Sequence, residues 1–243
     1  MRIFGLIGER LGHSLSRELF EERFHREGLH DHHYRLFELD RVEQFTDLLR
    51  DYPDLVGLNV TIPYKRSVMP LLDAVDPLAA AVGAVNTIAI RDGRTTGYNT
   101  DVIGFREALL ELIGEERPRA LVLGGGGSSR AVSHVLRGLR IPHRVVSRSR
   151  EHGDLTWDQL DRTVLGACPL LVNTTPLGMH PDTDSRPPLP YEHLGTQHLL
   201  FDLVYNPEET AFLRAGRERG ARGLNGLGML KAQAEAAWRI WNG

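Results

Sequence analysis

Ala120-Leu121-Val122-Leu123-Gly124-Gly125-Gly126-Gly127-Ser128-Ser129-Arg130-Ala131 is the stretch that decides the fold. Its first four residues are an unbroken apolar run, the mark of a strand buried on both faces. Four glycines end it, and residues 128–139 then carry apolar side chains at helical spacing. Strand, glycine turn and helix in that order suit a pyrophosphate. Glycine permits the tight turn and a close backbone approach, and the helix start offers free amides and the positive end of its dipole. A glycine run alone also fits a flexible turn; the flanking strand and helix favour the nucleotide.

The alternation continues in both directions. Downstream, residues 143–147, 170–174 and 198–205 read as strands. Residues 156–164 read as a helix capped by Thr156, 207–218 as a helix with Pro207 at its start, and 228–241 as the last helix. Upstream, strands at 2–8, 33–39 and 55–61 alternate with helices at 16–27 and 42–50, and Pro63 stops the third strand. Residues 86–90 and 95–98 flank Asp92-Gly93, a strong hairpin signal, and 102–112 is helical. Such alternation predicts parallel sheets covered by helices. The expected fold is α/β in two domains. Residues 1–101 form an N-terminal α/β substrate domain, and residues 102–227 a Rossmann-type nucleotide domain with a parallel sheet. The last helix, 228–243, packs back on the first domain. Glu115-Glu116-Arg117-Pro118 has the composition of a linker.

The strand after the glycines points to the nucleotide. A site for NAD places an acidic residue about 20 residues past the glycines to hold the ribose hydroxyls. This chain has Ser147-Arg148-Ser149-Arg150 there, with no carboxylate before Glu151. Two guanidiniums and two hydroxyls suit a 2′-phosphate, so NADP is the expected cofactor.

Composition narrows the rest. The 243 residues are 41% hydrophobic and 25% charged, with a net charge of -3, so no basic field invites nucleic acid or an anionic membrane. Cys168 is the lone cysteine, which excludes an internal disulfide and a multi-cysteine metal site. No apolar run approaches the ~20 residues of a membrane span, and Met1 to Gly8 is too short for a signal peptide. The expected location is the cytoplasm, and the expected partner a small molecule. His30, His32 and His33 read as a polar turn, and no metal site is expected.

Polar clusters at strand ends mark the substrate site, because open α/β sheets bind ligands there. Ser14 and Ser16 precede or open a helix; two hydroxyls at alternate positions suit a carboxylate, while Ser16 alone would serve as an N-cap. Asn59 and Thr61 share a strand face, with Lys65 just beyond. A two-residue loop at Asp92-Gly93 sets Asn86 opposite Asn99 and brings Thr87, Thr100 and Asp101 near it. Asn86 and Asp101 then face one ligand, unless Asp101 serves as the cap of the helix at 102; both roles are compatible. Further polar groups follow at Asn173-Thr174-Thr175-Pro176 and Asp202-Leu203-Val204-Tyr205. Gln233 stands one turn into the last helix, where an ordinary surface residue would also fit.

Taken together, Asn59 to Lys65, Gly83-Ala84-Val85-Asn86-Thr87, Asn99-Thr100-Asp101, Asn173 to Met179 and Gly228-Met229-Leu230-Lys231-Ala232-Gln233 resemble the shikimate dehydrogenase family from about Gly5 to Trp241. The resemblance implies reversible reduction of 3-dehydroshikimate to shikimate with NADPH, a step toward chorismate and the aromatic amino acids. It implies that Lys65 and Asp101 are the catalytic pair, and that Ser14, Ser16, Thr61, Asn86, Asp101, Tyr205 and Gln233 bind substrate. It implies that Gly124, Gly125, Gly126, Gly127 and Ser128 cradle the pyrophosphate, that Ser147, Arg148, Ser149 and Arg150 hold the 2′-phosphate, and that Leu203, Gly226 and Met229 line the nicotinamide pocket. The chain departs from the family at Arg17, where proline is common, and at Ser147-Arg148-Ser149, where Asn-Arg-Thr is usual. It ends at Gly243 without the family's further C-terminal helix, a short form expected as monomer or homodimer. A quinate dehydrogenase using NAD keeps the same pair, but Arg148 argues against NAD. A silent metabolite-binding paralogue is disfavoured by the presence of both Lys65 and Asp101.

Overall fold

The fold is that of a computed structural model, which describes residues 1–12 and 14–243; His13, inside the first polar cluster, lies outside the described residues. The chain divides into two compact units, Met1–Ile103 with Lys231–Gly243, and Gly104–Leu230.

The first unit opens with β1 (Arg2–Gly8), α1 (Ser16–Arg26), β2 (His32–Glu38), α2 (Gln44–Asp51) and β3 (Leu55–Val60). β1 lies between β2 and β3 and is parallel to both, so α1 and α2 are the crossovers. Then come β4 (Ala74–Val75), α3 (Pro77–Val82) and the hairpin β5 (Thr87–Arg91) and β6 (Arg94–Tyr98). The expectation of parallel sheets fails here. The hairpin is antiparallel and joins β3 antiparallel, giving a mixed sheet in the order β2-β1-β3-β5-β6-β4. Asp92 and Gly93 both have left-handed φ, 51° and 73°, which a two-residue loop needs and which sets Thr87 against Tyr98. α3 was not foreseen. Asp76 caps it by accepting from the Leu78 amide at 2.9 Å, and Gly83 ends it at φ 71°. His32 and His33 do not form a polar turn. They open β2, and the His32 ring stacks on Phe4 with centroids 5.7 Å apart.

α4 (Asp101–Ile113) runs from the first unit into the second, where the sheet is β7 (Ala120–Leu123), β8 (His143–Ser147), β9 (Leu155–Thr156), β10 (Leu170–Asn173), β11 (Leu199–Asp202) and β12 (Arg222–Leu224). Its order, β9-β8-β7-β10-β11-β12, is the 3-2-1-4-5-6 order of a dinucleotide-binding domain, and every pairing is parallel. α5 (Gly127–Gly138), α6 (Arg162–Ala167) and α7 (Ala211–Arg217) make crossovers, and α8 (Leu227–Asn242) returns to the first unit. Every residue of β7, β10 and β11 is buried, as their apolar runs require. Glu115 to Pro118 lies inside this unit and joins α4 to β7, so it links two elements, not two domains.

Two expected helices are shorter than their apolar spacing suggests. Thr156 does cap a turn, but only the single 3-10 turn Trp157–Gln159; Leu160 is extended and Asp161 starts α6 anew by accepting from the Val164 amide. Residues 207–210 are not helical, because the cap is Thr210, whose oxygen accepts from the Leu213 amide. Thr210 is placed by Asp202, a fully buried carboxylate. It accepts from the Thr210 hydroxyl at 2.6 Å, the Asn173 amide group at 2.9 Å and the Val204 backbone at 3.0 Å. Burial pushes the Asp202 pKa up to about 7, although those hydrogen bonds pull the other way.

The end of α8 is fixed on the first sheet by Trp241, which is 3% exposed and donates from Nε1 to the Ile88 carbonyl at 2.9 Å. A Cβ on Gly57 would stand 2.2 Å from that Nε1, so only glycine leaves room for the indole. Arg2 donates to Asn242 and Arg91 to the Ile240 carbonyl, closing the same end.

Gly57→Ala is predicted to cost about 1–3 kcal/mol through overpacking, read as a lowered thermal midpoint; a midpoint equal to wild type would contradict the contact. Asp202 makes a second prediction. Its folded pKa is above the ordinary carboxyl value of about 4. Between those values the folded chain keeps a proton that the unfolded chain has lost. The stabilisation is full below about pH 4 and is lost as pH rises toward 7, by about 1.4 kcal/mol per pH unit. Melts of wild type and Asp202→Asn from pH 5 to 8 should show a shallower decline in the variant; parallel declines would refute the buried-acid account.

Candidate active site

Lys65 and Asp101 meet in the first unit. Lys65 follows β3 through a turn held by the Tyr64 amide on the Thr61 carbonyl and by the Tyr64 hydroxyl on the Leu39 carbonyl. The Lys65 carbonyl accepts from the Val85 amide at 2.7 Å, which ties the turn to the segment before β5. Lys65 Nζ lies 2.7 Å from Asp101 Oδ2, with the two side chains 13% and 2% exposed. An ion pair so shielded is held by further polar partners or it is a liability. Asp101 has two. It sits in the first turn of α4, where the helix dipole favours a negative charge, and its Oδ1 accepts from Asn86 Nδ2 at 2.9 Å.

Asp101 is not the cap of that helix. Asn99 takes the role, accepting from the Val102 amide at 3.2 Å while donating to the Ala84 carbonyl at 2.8 Å. Asn86 organises the cluster. Its Oδ1 accepts from the Thr100 amide at 2.7 Å, and its Nδ2 reaches Asp101 and, at 2.9 Å, Gln233 Oε1. Gln233 is therefore half-buried and engaged, not an ordinary surface residue. With Nζ as donor beside a carboxylate, this group can pass a proton to an oxygen or take one from it.

Ser14, Ser16 and Thr61 are half-buried in the same unit. Ser16 is not an N-cap. It is the first residue of α1, whose cap position is Leu15, and its own amide donates to Ser14 Oγ at 3.3 Å. Thr61 continues β3, its amide donating to the Ile7 carbonyl at 2.9 Å. Among the described residues, no hydrogen bond joins these three to the Lys65 group. Tyr205 belongs to the second unit, whereas the other six expected substrate contacts belong to the first.

The glycine turn of the second unit sits where the strand order reverses, between the ends of β7 and β10. Gly124 has φ 114°, and a Cβ there would stand 2.8 Å from Thr174 Oγ1; that hydroxyl donates to the Leu123 carbonyl at 2.8 Å. A Cβ on Gly125 would stand 2.6 Å from the His152 carbonyl. Gly126 is the N-cap of α5 and faces open space; Gly127 and Ser128 follow as its first residues. The cradle and the free amides of a 12-residue helix fit a pyrophosphate. The Ser147 hydroxyl shapes the next loop, donating to the Ser149 carbonyl and accepting from its amide, while Arg148, Ser149 and Arg150 are exposed. Two exposed guanidiniums there fit a 2′-phosphate. Gly226 touches the Leu203 backbone, where a Cβ would be 2.2 Å from the carbonyl oxygen, and Met229 is buried in α8.

Sequence reasoning missed the roles of Tyr34 and Asn59. The Tyr34 hydroxyl donates to Asn59 Oδ1 at 2.8 Å, and Asn59 Nδ2 reaches Thr87 Oγ1 at 3.3 Å. The available signal was an amide two residues before Thr61 in an otherwise apolar strand. No group of three His, Cys, Asp or Glu among the described residues is arranged to hold a metal ion, and no helix among them is long and apolar enough to cross a membrane.

Comparison with known proteins points to one family. The sequence profile described as the shikimate dehydrogenase substrate binding domain matches residues 6–88. The shikimate dehydrogenase (NADP(+)) of Methanococcus aeolicus is 35% identical over 258 residues, covering 100% of this chain and 92% of its own length. The solved shikimate 5-dehydrogenase of Thermus thermophilus, in complex with NADP(H) and shikimate, superposes with a TM-score of 0.88 at 33% identity, covering 99% of this chain and 93% of that one. The quinate dehydrogenase of Corynebacterium glutamicum in complex with NAD gives 0.85 at 29% identity, with 99% and 93% covered. Similarity at this level, along the whole chain and in both units, places the chain in the shikimate dehydrogenase family.

Proposed function

We propose that the chain is an NADP-dependent shikimate dehydrogenase that interconverts 3-dehydroshikimate and shikimate. The observation that carries the reading is the shielded 2.7 Å pair of Lys65 with Asp101, bound in turn to Asn86 and Gln233. When bound, NADP(H) supplies or accepts the hydride, which no side chain can do. Gly124 to Ser128 would hold its pyrophosphate and Ser147 to Arg150 its 2′-phosphate, and Leu203, Gly226 and Met229 would line the nicotinamide pocket. Ser14 and Ser16 hold the substrate carboxylate, and Thr61, Asn86, Tyr205 and Gln233 bind its ring hydroxyls or carboxylate. Lys65 Nζ gives its proton to the ring oxygen as the ketone becomes an alcohol, and takes it back in the reverse direction. Asp101 aims Nζ through the 2.7 Å contact. The enzyme acts on a small molecule, in the cytoplasm, as monomer or homodimer.

The likeness to an NAD-bound quinate dehydrogenase supports a second reading, in which quinate and NAD are used. Arg148 and Arg150 weigh against it, since they offer cations where an NAD site keeps an acid.

Lys65→Ala should lower kcat about 10²–10⁴-fold while the dissociation constant for NADP stays near wild type. Near-normal turnover would remove Lys65 from the mechanism. Arg148→Ala should weaken NADP about tenfold and leave NAD almost unchanged, as measured by titrating each cofactor. Equal weakening of both would assign Arg148 a role other than phosphate binding.

A further inference from the structure

We infer that Thr87 is a positioning residue for the Lys65–Asp101 pair, its buried hydroxyl deciding which acceptors the Asn86 amide serves. This rests on the dehydrogenase reading above. Asn86 Nδ2 has two hydrogens but faces three acceptors, Asp101 Oδ1 at 2.9 Å, Gln233 Oε1 at 2.9 Å and Thr100 Oγ1 at 3.0 Å. One acceptor goes without unless another donor satisfies it. Thr87 is within reach to be that donor, while the Thr100 hydroxyl can itself donate to Asn86 Oδ1 at 3.2 Å. Thr87 is 0% exposed, and its Oγ1 lies 3.1 Å from Thr100 Oγ1 and 3.3 Å from Asn86 Oδ1.

The direction of the Thr87 hydrogen is set from further back. Tyr34 donates to Asn59 Oδ1 at 2.8 Å, so Asn59 turns its Nδ2 toward Thr87 Oγ1 and the Asn86 carbonyl. A lone pair of Thr87 is filled from that side, and its hydrogen goes forward to Thr100 or Asn86. A Thr100 oxygen supplied by Thr87 makes no demand on Asn86, which leaves both amide hydrogens for Asp101 and Gln233. Without the Thr87 hydroxyl, Thr100 competes with Asp101 for one of them. Asp101 then leans harder on the Lys65 ammonium, which holds its proton more tightly. Among the described residues, Lys65 and Asp101 have ion pairs with each other alone. Asn86 adds a neutral contact to Asp101, and Gln233, from α8, one to Asn86.

Thr87→Val keeps the shape and removes the hydroxyl; Thr87→Ser restores the hydroxyl. In shikimate oxidation, where Lys65 takes up the proton, Thr87→Val should lower kcat about tenfold and move the rising, acid-side limb of the pH profile to higher pH, with Thr87→Ser near wild type on both counts. Tyr34→Phe, which removes the donor to Asn59, should shift both in the same direction by less, and it gives the answer if Thr87→Val does not fold. A wild-type protein that oxidises shikimate while Thr87→Val, or Tyr34→Phe in its place, matches its kcat and pH profile overturns this inference alone. Equal impairment of the Val and Ser variants also overturns it, since the hydroxyl would then not be the cause. A wild-type protein without turnover overturns the dehydrogenase reading and this inference with it.

Discussion

A lysine and an aspartate held 2.7 Å apart, mostly out of water, set the demands that the first unit meets. Such a pair is costly to bury unless each oxygen and each proton finds a place. Asp101 Oδ2 takes Lys65, Oδ1 takes Asn86, and the start of α4 lends its dipole. Asn86 can serve Asp101 because the Thr100 amide holds its other end. The antiparallel hairpin brings Asn86 beside Thr100 and Asp101, and its register follows from two left-handed residues in the loop. The sheet is mixed, not parallel, where Asn86 and Asp101 come together from the two sides of a hairpin.

Gln233 shows what holds the last helix in place. It is far in sequence from Asn86 yet 2.9 Å away, because α8 is pinned at its other end by Trp241 on Gly57. The indole fills the space that a side chain at 57 would take and satisfies its own donor on the Ile88 carbonyl. Packing several residues away thus contributes to the polar site.

Much of this was legible in the sequence because the signals are local. The glycine run between an apolar strand and a helix marked the nucleotide unit, and Asp92-Gly93 fixed a hairpin register that brought Asn86 to Asp101. What failed to show depends on contacts that spacing does not encode. The apolar residues of 156–164 fit one helix, but two separate caps, Thr156 and Asp161, divide it. Pro207 looks like a helix start, but the start is fixed by Thr210 on the buried Asp202. The strand signal of β12, three residues long, and of β4, two residues long, is too brief to read. Asn59 and Tyr34 were unremarkable alone, since their role exists only once β2, β1, β3 and β5 lie side by side.

Oxidation of shikimate with NADP is read most directly as the rise of reduced-cofactor absorbance when purified protein meets shikimate or quinate with NADP or NAD in parallel. A strong signal is expected with shikimate and NADP and a weak one in the other three combinations. A stronger signal with quinate, or with NAD, would contradict the substrate or the cofactor assignment, and no signal in any combination from folded protein would contradict the catalytic role of the Lys65–Asp101 pair.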